Sequence, residues 1–160
     1  MPSAAVREYA FARLILHNAM ATSAYALGDF SAADREMALV LAARKELRDS
    51  DDVRSGVYES TFAALVKLRL DQPAEARALI EPALKFQREL SARNVDDPSQ
   101  RLDHAAALCV AAVAGVGDPA AQLADAAALM DKLPPEMKRL SYVEVWRNRI
   151  TEARSGRRPS

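Results

Sequence analysis

The residues able to do chemistry are few and poorly spaced for it. There are two histidines, His17 and His104, and one cysteine, Cys109. His104 follows Asp103 directly, the adjacency of a base and its carboxylate. Neighbours on a helix diverge by about 100 degrees, however, so the two cannot be aimed at one proton. Cys109 lies five residues beyond His104, off its helix face, within the apolar run Ala105 to Ala114. It therefore reads as a small buried residue and not as an activated thiolate. A lone cysteine also excludes an internal disulfide and a multi-cysteine zinc site. The run Asp49-Ser50-Asp51-Asp52 lacks the alternating ligands, central glycine and distal glutamate of a calcium loop. Gly115-Val116-Gly117 lacks the third glycine of a dinucleotide loop, and no H-E-x-x-H, G-x-S-x-G or phosphate-loop motif occurs. The sequence predicts no enzyme, no metal and no cofactor.

What remains is a framework. Hydrophobic residues make up 50% of the 160, aromatics only 6%, with five glycines, a mixture suited to close-packed helices. The length suits one domain, with 1–154 as a single helical repeat domain and 155–160 as a disordered tail. Lys plus Arg and Asp plus Glu both total 22, so no global field draws the chain to nucleic acid or an anionic membrane. No apolar run is long enough to cross a bilayer, and Arg7, Glu8, Arg13 and His17 interrupt the N-terminal segment before a signal-peptide core forms. With one cysteine, this composition suits a cytoplasmic protein.

Periodicity predicts an amphipathic helix from about Ser3 to Leu27, broken at Gly28. A second helix runs to about Leu47, with Ser31 and Asp34 as a capping arrangement and Asp34, Arg35, Glu36, Arg44, Lys45 and Arg48 on a solvated face. Asp49 to Asp52 would cap a third helix, Val53 to about Leu70. A fourth spans Pro73 to about Ala92, with Pro82 expected to remove one hydrogen bond and bend it. Asp97-Pro98 and Asp118-Pro119 each combine a cap with a first-turn proline, starting helices that run to Ala114 and Lys132. Pro134-Pro135 stops the sixth helix. Ser141 and Glu144 then form a capping box, flanked by a Leu140–Val145 staple, for a seventh helix to about Ala153 that carries Trp146 as a closing cap.

Gly28, Asp71 and Gly117 mark similar breaks at spacings of 43 and 46 residues, an internal repeat of helical hairpins. Small residues recur around the first two breaks: Ala21 and Ala64 seven before, Ala33 and Ala76 five after. The third unit has Val110 and Gln122 there, although Pro134 takes the place of a closing proline. From Leu14 to Leu133 this pattern resembles the tetratricopeptide repeat, in the extended form of kinesin light chains. The resemblance implies an all-α superhelix of about three antiparallel hairpins with a C-terminal capping helix. It also implies a scaffold that binds protein or peptide partners on a concave face. That face would present Asn18, Thr22, Tyr25, Tyr58, Thr61, Leu65, Arg69 and His104. No lysines accompany Asn18 in the matching helices, so the family's carboxylate clamp for chaperone tails is not reproduced.

Two other expectations come from the ends of the chain. The N-terminal helix carries Val6, Tyr9, Phe11, Leu14 and Leu16 around its circumference, too apolar to face water, and so predicts a homo-oligomer or attachment to another domain. The alternative to a free adaptor is accordingly a regulatory or sensory domain of a larger signalling or transcription-regulatory protein. A third reading is a small-molecule pocket lined by Tyr25, Tyr58, Phe62 and Arg69. The last 25 residues have an excess of four positive charges, but without interleaved aromatics or a recognition helix they argue against nucleic acid as a partner.

Overall fold

The computed structural model describes residues 4–47, 55–94 and 96–159, Ala4 and Ser55 by their backbone alone. The carboxylates Asp49, Asp51 and Asp52, Arg48, and the expected helix start at Val53 lie outside the described residues. The described chain is all-α, without strands: α1 Ala4–Ala26, α2 Phe30–Glu46, α3 Ser55–Arg69, α4 Pro73–Arg93, α5 Pro98–Ala114, α6 Pro119–Asp131, α7 Pro135–Lys138 and α8 Ser141–Arg154. It forms two compact units, residues 1–76 and 77–160, and the division falls in the first turn of α4.

In the first unit α1 and α2 form an antiparallel hairpin, and α2 also packs on α3. Ala10, Leu14, Ala21 and Tyr25 are buried on α1; Ala33, Met37, Val40 and Ala43 are buried on α2. Both stripes repeat at three- and four-residue steps, the spacing that keeps one helix face toward a partner. In the second unit α5 packs on α6 and α8, α6 on α8, and α7 on α8. Every residue of α5 from Ala105 to Ala112 is buried, which only its alanines and small apolar side chains permit on all sides of a helix. Trp146, Val143 and Ile150 bury α8, with Arg149 folded over the Trp146 ring at 4.7 Å.

Helix ends explain the breaks. Gly28 donates to Tyr25 O at 3.0 Å and Asp29 to Ala24 O at 2.9 Å. The same pair of backbone closures recurs at Asp71 and Gln72 (3.2 and 2.9 Å), at Gly115 and Val116 (3.2 and 2.9 Å), and at Gly156 and Arg157 (3.0 Å each). Each leading residue is left-handed, with φ of 79, 59, 76 and 75°. This is the left-handed C-cap that satisfies the last carbonyls of a helix. Glycine adopts it freely, and aspartate is among the few others that visit it. The register mark of the third break is thus Gly115, not Gly117, and the spacings become 43, 44 and 41 residues. Gly156 and Arg157, in the segment expected as a disordered tail, end α8 as Gly28 and Asp29 end α1.

Starts differ more from expectation. Asp97 accepts from Ser99 N at 2.9 Å and Asp118 from Ala120 N at 3.0 Å, as the Asp-Pro pairs predict. For α2 the cap is Asp29, accepting from Ala32 N at 2.9 Å, and not Ser31. Asp34 instead takes an ion pair from Lys67 at 2.9 Å. The Ser141 capping box does not form, because Leu140 stands at the cap and Ser141 is already helical. The short α7 delivers the chain there, with Leu140 N bonded to Met137 O at 3.0 Å, and both Leu140 and Val145 stay on the surface. α4 runs unbroken through Pro82, an exposed residue that has no N–H to give to the Ala78 carbonyl.

Candidate functional site

The first unit gathers an aromatic cluster from three helices' worth of sequence. Tyr25 ends α1 and is buried; Phe30 starts α2, its ring centre 5.2 Å away edge-on, and Phe62 of α3 lies 5.4 Å away. Tyr58 lies parallel to Phe62 at 6.5 Å, one helical turn earlier. Arg69, at the end of α3, holds its guanidinium 4.6 Å over Phe30. Such ring pairs and the cation over a ring face stabilise beyond simple burial, by about 0.5–1.5 kcal/mol each. Lys67 pairs with Asp34 and Glu75, each at 2.9 Å. Burial works against its charge, but these two hydrogen-bonded carboxylates outweigh it and raise the pKa.

Of the expected partner-facing residues, Tyr25, Tyr58 and Arg69 belong to this cluster, and Tyr58 and Arg69 are half-buried at its edge. Thr61 and Leu65 are 1% exposed and lie in the core, not on a surface open to a partner. Thr22 is exposed but folds its hydroxyl back to Asn18 O at 2.8 Å. Asn18 is half-buried, and its Oδ1 meets no partner among the described residues. Arg44, expected on a solvated face, is instead paired with the buried Glu59 at 2.8 Å.

His104 belongs to the second unit. Counted from Gly115 it stands eleven residues before the C-cap, the place of His17 before Gly28. The correspondence extends to their carboxylates. Glu36 and Asp125 each follow their capping aspartate by seven residues, Asp29 in one hairpin and Asp118 in the other. His17 Nδ1 lies 2.7 Å from Glu36 Oε2. In the second unit the same place opens into two adjoining depressions that share His104, Leu129 and Lys132. One, of about 250 Å³, adds Arg88, Leu108, Ala128 and Asp125. The other, of about 230 Å³, adds Ser91, Asn94, Gln100 and Arg101. Burial, with Arg88 beside it, holds the His104 pKa below the usual histidine value, against the pull of Asp125.

Arg88, Arg101 and Lys132 line these depressions beside the His104 ring, with Asp125 as the one acid among the lining residues, and Arg101 also pairs with Asp96 at 3.6 Å. Arg101 is anchored at 3.3 Å on the Lys132 carbonyl, at the C-terminal end of α6. The floor is firm: Gln87 Nε2 donates to Gln100 Oε1 at 2.9 Å, and both side chains are buried. These cations are the side chains that pair with small anionic groups such as carboxylates. Sequence reading singled out His104 but missed Arg88, Arg101 and Lys132. Their spacing carries no signal, since they come from α4, α5 and the end of α6.

Cys109 is buried and its thiol is pushed up to about 12 by desolvation, so it stays protonated and unreactive. No group of three or more potential metal ligands occurs among the described residues, and no helix among them is long and apolar enough to cross a membrane. The class defined by these features is an all-α chain of helical hairpins ended by a recurring C-cap, compatible with a helical repeat. Comparison with protein-family models, with curated proteins and with solved structures gives no match.

Proposed function

We propose that the chain is a protein- or peptide-binding module of helical hairpins, similar to the tetratricopeptide repeats, and not an enzyme. The observation that carries this reading is the recurrence of one helix ending at Gly28, Asp71, Gly115 and Gly156. Stacked hairpins of this kind bury their faces on their neighbours and offer side chains at regular intervals to an extended ligand. The cleft around His104 favours a ligand with an acidic side chain or C-terminal carboxylate, because its lining cations outnumber its acids. Tyr58 and Arg69, half-buried at the edge of the aromatic cluster, supply an apolar and cationic surface in the first unit.

The test is fluorescence anisotropy with labelled acidic, neutral and basic peptides. Acidic peptides should bind, more weakly as salt rises, and Arg88→Glu with Lys132→Glu should lower affinity at least tenfold. Equal binding of all three peptide classes, or affinity untouched by the double variant, would overturn the assignment to this cleft. The reading as a regulatory domain of a larger protein draws on a separate observation, the exposed apolar residues of α1.

A further inference from the structure

α1 buries one face against α2 and leaves the opposite face bare. On that bare face Ala5, Tyr9, Ala12, Leu16, Ala19, Ser23 and Ala26 follow one another at alternating steps of four and three residues, and all are exposed. Tyr9 is 66% exposed and Leu16 57%. This is a heptad seam three repeats long, with Tyr9, Leu16 and Ser23 at one core position and the alanines at the other. Ile15, Met20 and Leu27, also exposed, flank it. The hydroxyl of Ser23 is turned back to Ala19 O at 2.9 Å, so the phenol of Tyr9 is the one seam side-chain polar group left to the surface. A patch of this kind exceeds scattered surface apolarity and marks an interface.

The charges beside the seam select its occupant. Glu8 and Arg13 are the charged residues bordering it, five apart on opposite flanks. In a parallel pair of α1 helices, Glu8 of each copy meets Arg13 of the other, and symmetry makes the contact twice. In an antiparallel pair with full overlap Arg13 would face Arg13. Arg13 is already held at the seam, 5.6 Å over the Tyr9 ring and 3.3 Å from Glu46, and its guanidinium has further N–H groups to give. Alanine at every second core layer lets the helices approach to the short end of the usual interaxial range, about 8 Å.

We infer that a second copy of this chain covers α1, the two helices running parallel as a two-stranded coil. This inference does not rest on peptide binding. Sedimentation equilibrium of the full chain should give twice the 17.4 kDa chain mass at micromolar concentration. Leu16→Glu and Ala12→Glu should each halve that mass while leaving helicity and peptide affinity unchanged, since both side chains face away from the hairpin. Orientation is read by oxidation: Ala12→Cys alone should give a covalent dimer, Cys109 being buried. A wild-type chain that stays monomeric to about 100 µM, well above micromolar dissociation constants, would overturn the inference. So would covalent linkage that appears only when Ala12→Cys is mixed with Leu16→Cys, the pairing of an antiparallel seam.

Discussion

The two units solve the same problem, burying polar side chains between helices, with different chemistry. The first buries an ion pair, Arg44 with Glu59 at 2.8 Å; the second buries two amides, Gln87 with Gln100 at 2.9 Å. Around them the first unit is aromatic, with Tyr25, Phe30, Tyr58 and Phe62 in contact, whereas the second is built on the alanines of α5. A charge taken out of water depends on its partner far more than an amide does, because the uncompensated ion loses its whole hydration. The first unit is therefore the more sensitive to single substitutions, and the second the more forgiving.

The strongest way to break that contrast is to remove one partner in each unit. Arg44→Met removes the charge-assisted hydrogen bond 2.8 Å from the buried Glu59 carboxylate and should cost about 2–3 kcal/mol. Gln87→Met leaves only neutral groups of Gln100 and Ser91 to re-pair, and should cost about 1–2 kcal/mol. Urea unfolding of the two variants gives the comparison directly. Equal losses would mean that burial of charge does not distinguish the units.

The turns offer a finer contrast. Gly28 and Gly117 both have positive φ, but a Cβ on Gly28 meets nothing within 4 Å, whereas one on Gly117 would stand 2.9 Å from Gln122 Nε2. Gln122 occupies the place that Ala33 and Ala76 hold after the other turns, and it is buried beside Gly117. Gly28→Ala should thus cost only the left-handed backbone, about 1 kcal/mol. Gly117→Ala should cost about twice that, with the displaced amide added. In a Gln122→Ala background the excess should vanish, a coupling that a double-mutant cycle measures and that independent sites would not show.

These positions also show what the sequence made legible. Helices and their order could be read because Gly28, Asp97-Pro98, Asp118-Pro119 and Pro134-Pro135 are local signals, each acting within a few residues. The register of the third break could not, since Gly115 and Gly117 both take positive φ and only the hydrogen bonds to Ala111 and Ala112 tell which ends the helix. Only the register counted from Gly115 sets His104 in the place of His17. The short α7 went unseen because Pro135 starts a helix as readily as it stops one. Arg44 was misplaced for a different reason: its partner Glu59 comes from another helix, and a charged side chain at a half-buried position reads as solvated until that partner is known. The cleft cations fail in the same way, being brought together only by packing.

The smallest effect concerns the two histidine–carboxylate places. In the first hairpin the pair is closed, with His17 2.7 Å from Glu36, while in the second His104 and Asp125 border an open depression. The groups facing His104 are Arg88 from α4, Arg101 from its own helix, and Asp125 and Lys132 from α6 and its end. Burial and Arg88 lower the folded pKa below the ordinary 6.5. The unfolded chain therefore binds the proton first as pH falls. The stability held by neutral His104 is complete above pH 6.5 and is lost as pH drops toward the folded value. The urea midpoint should decline below pH 6.5 with a component that His104→Gln removes. Asp125→Asn should steepen that component, because the acid favours the charged ring, and Arg88→Gln should flatten it. A slope unchanged in His104→Gln would place the acid sensitivity elsewhere. Such a result would reduce the second histidine to a packing element of its hairpin.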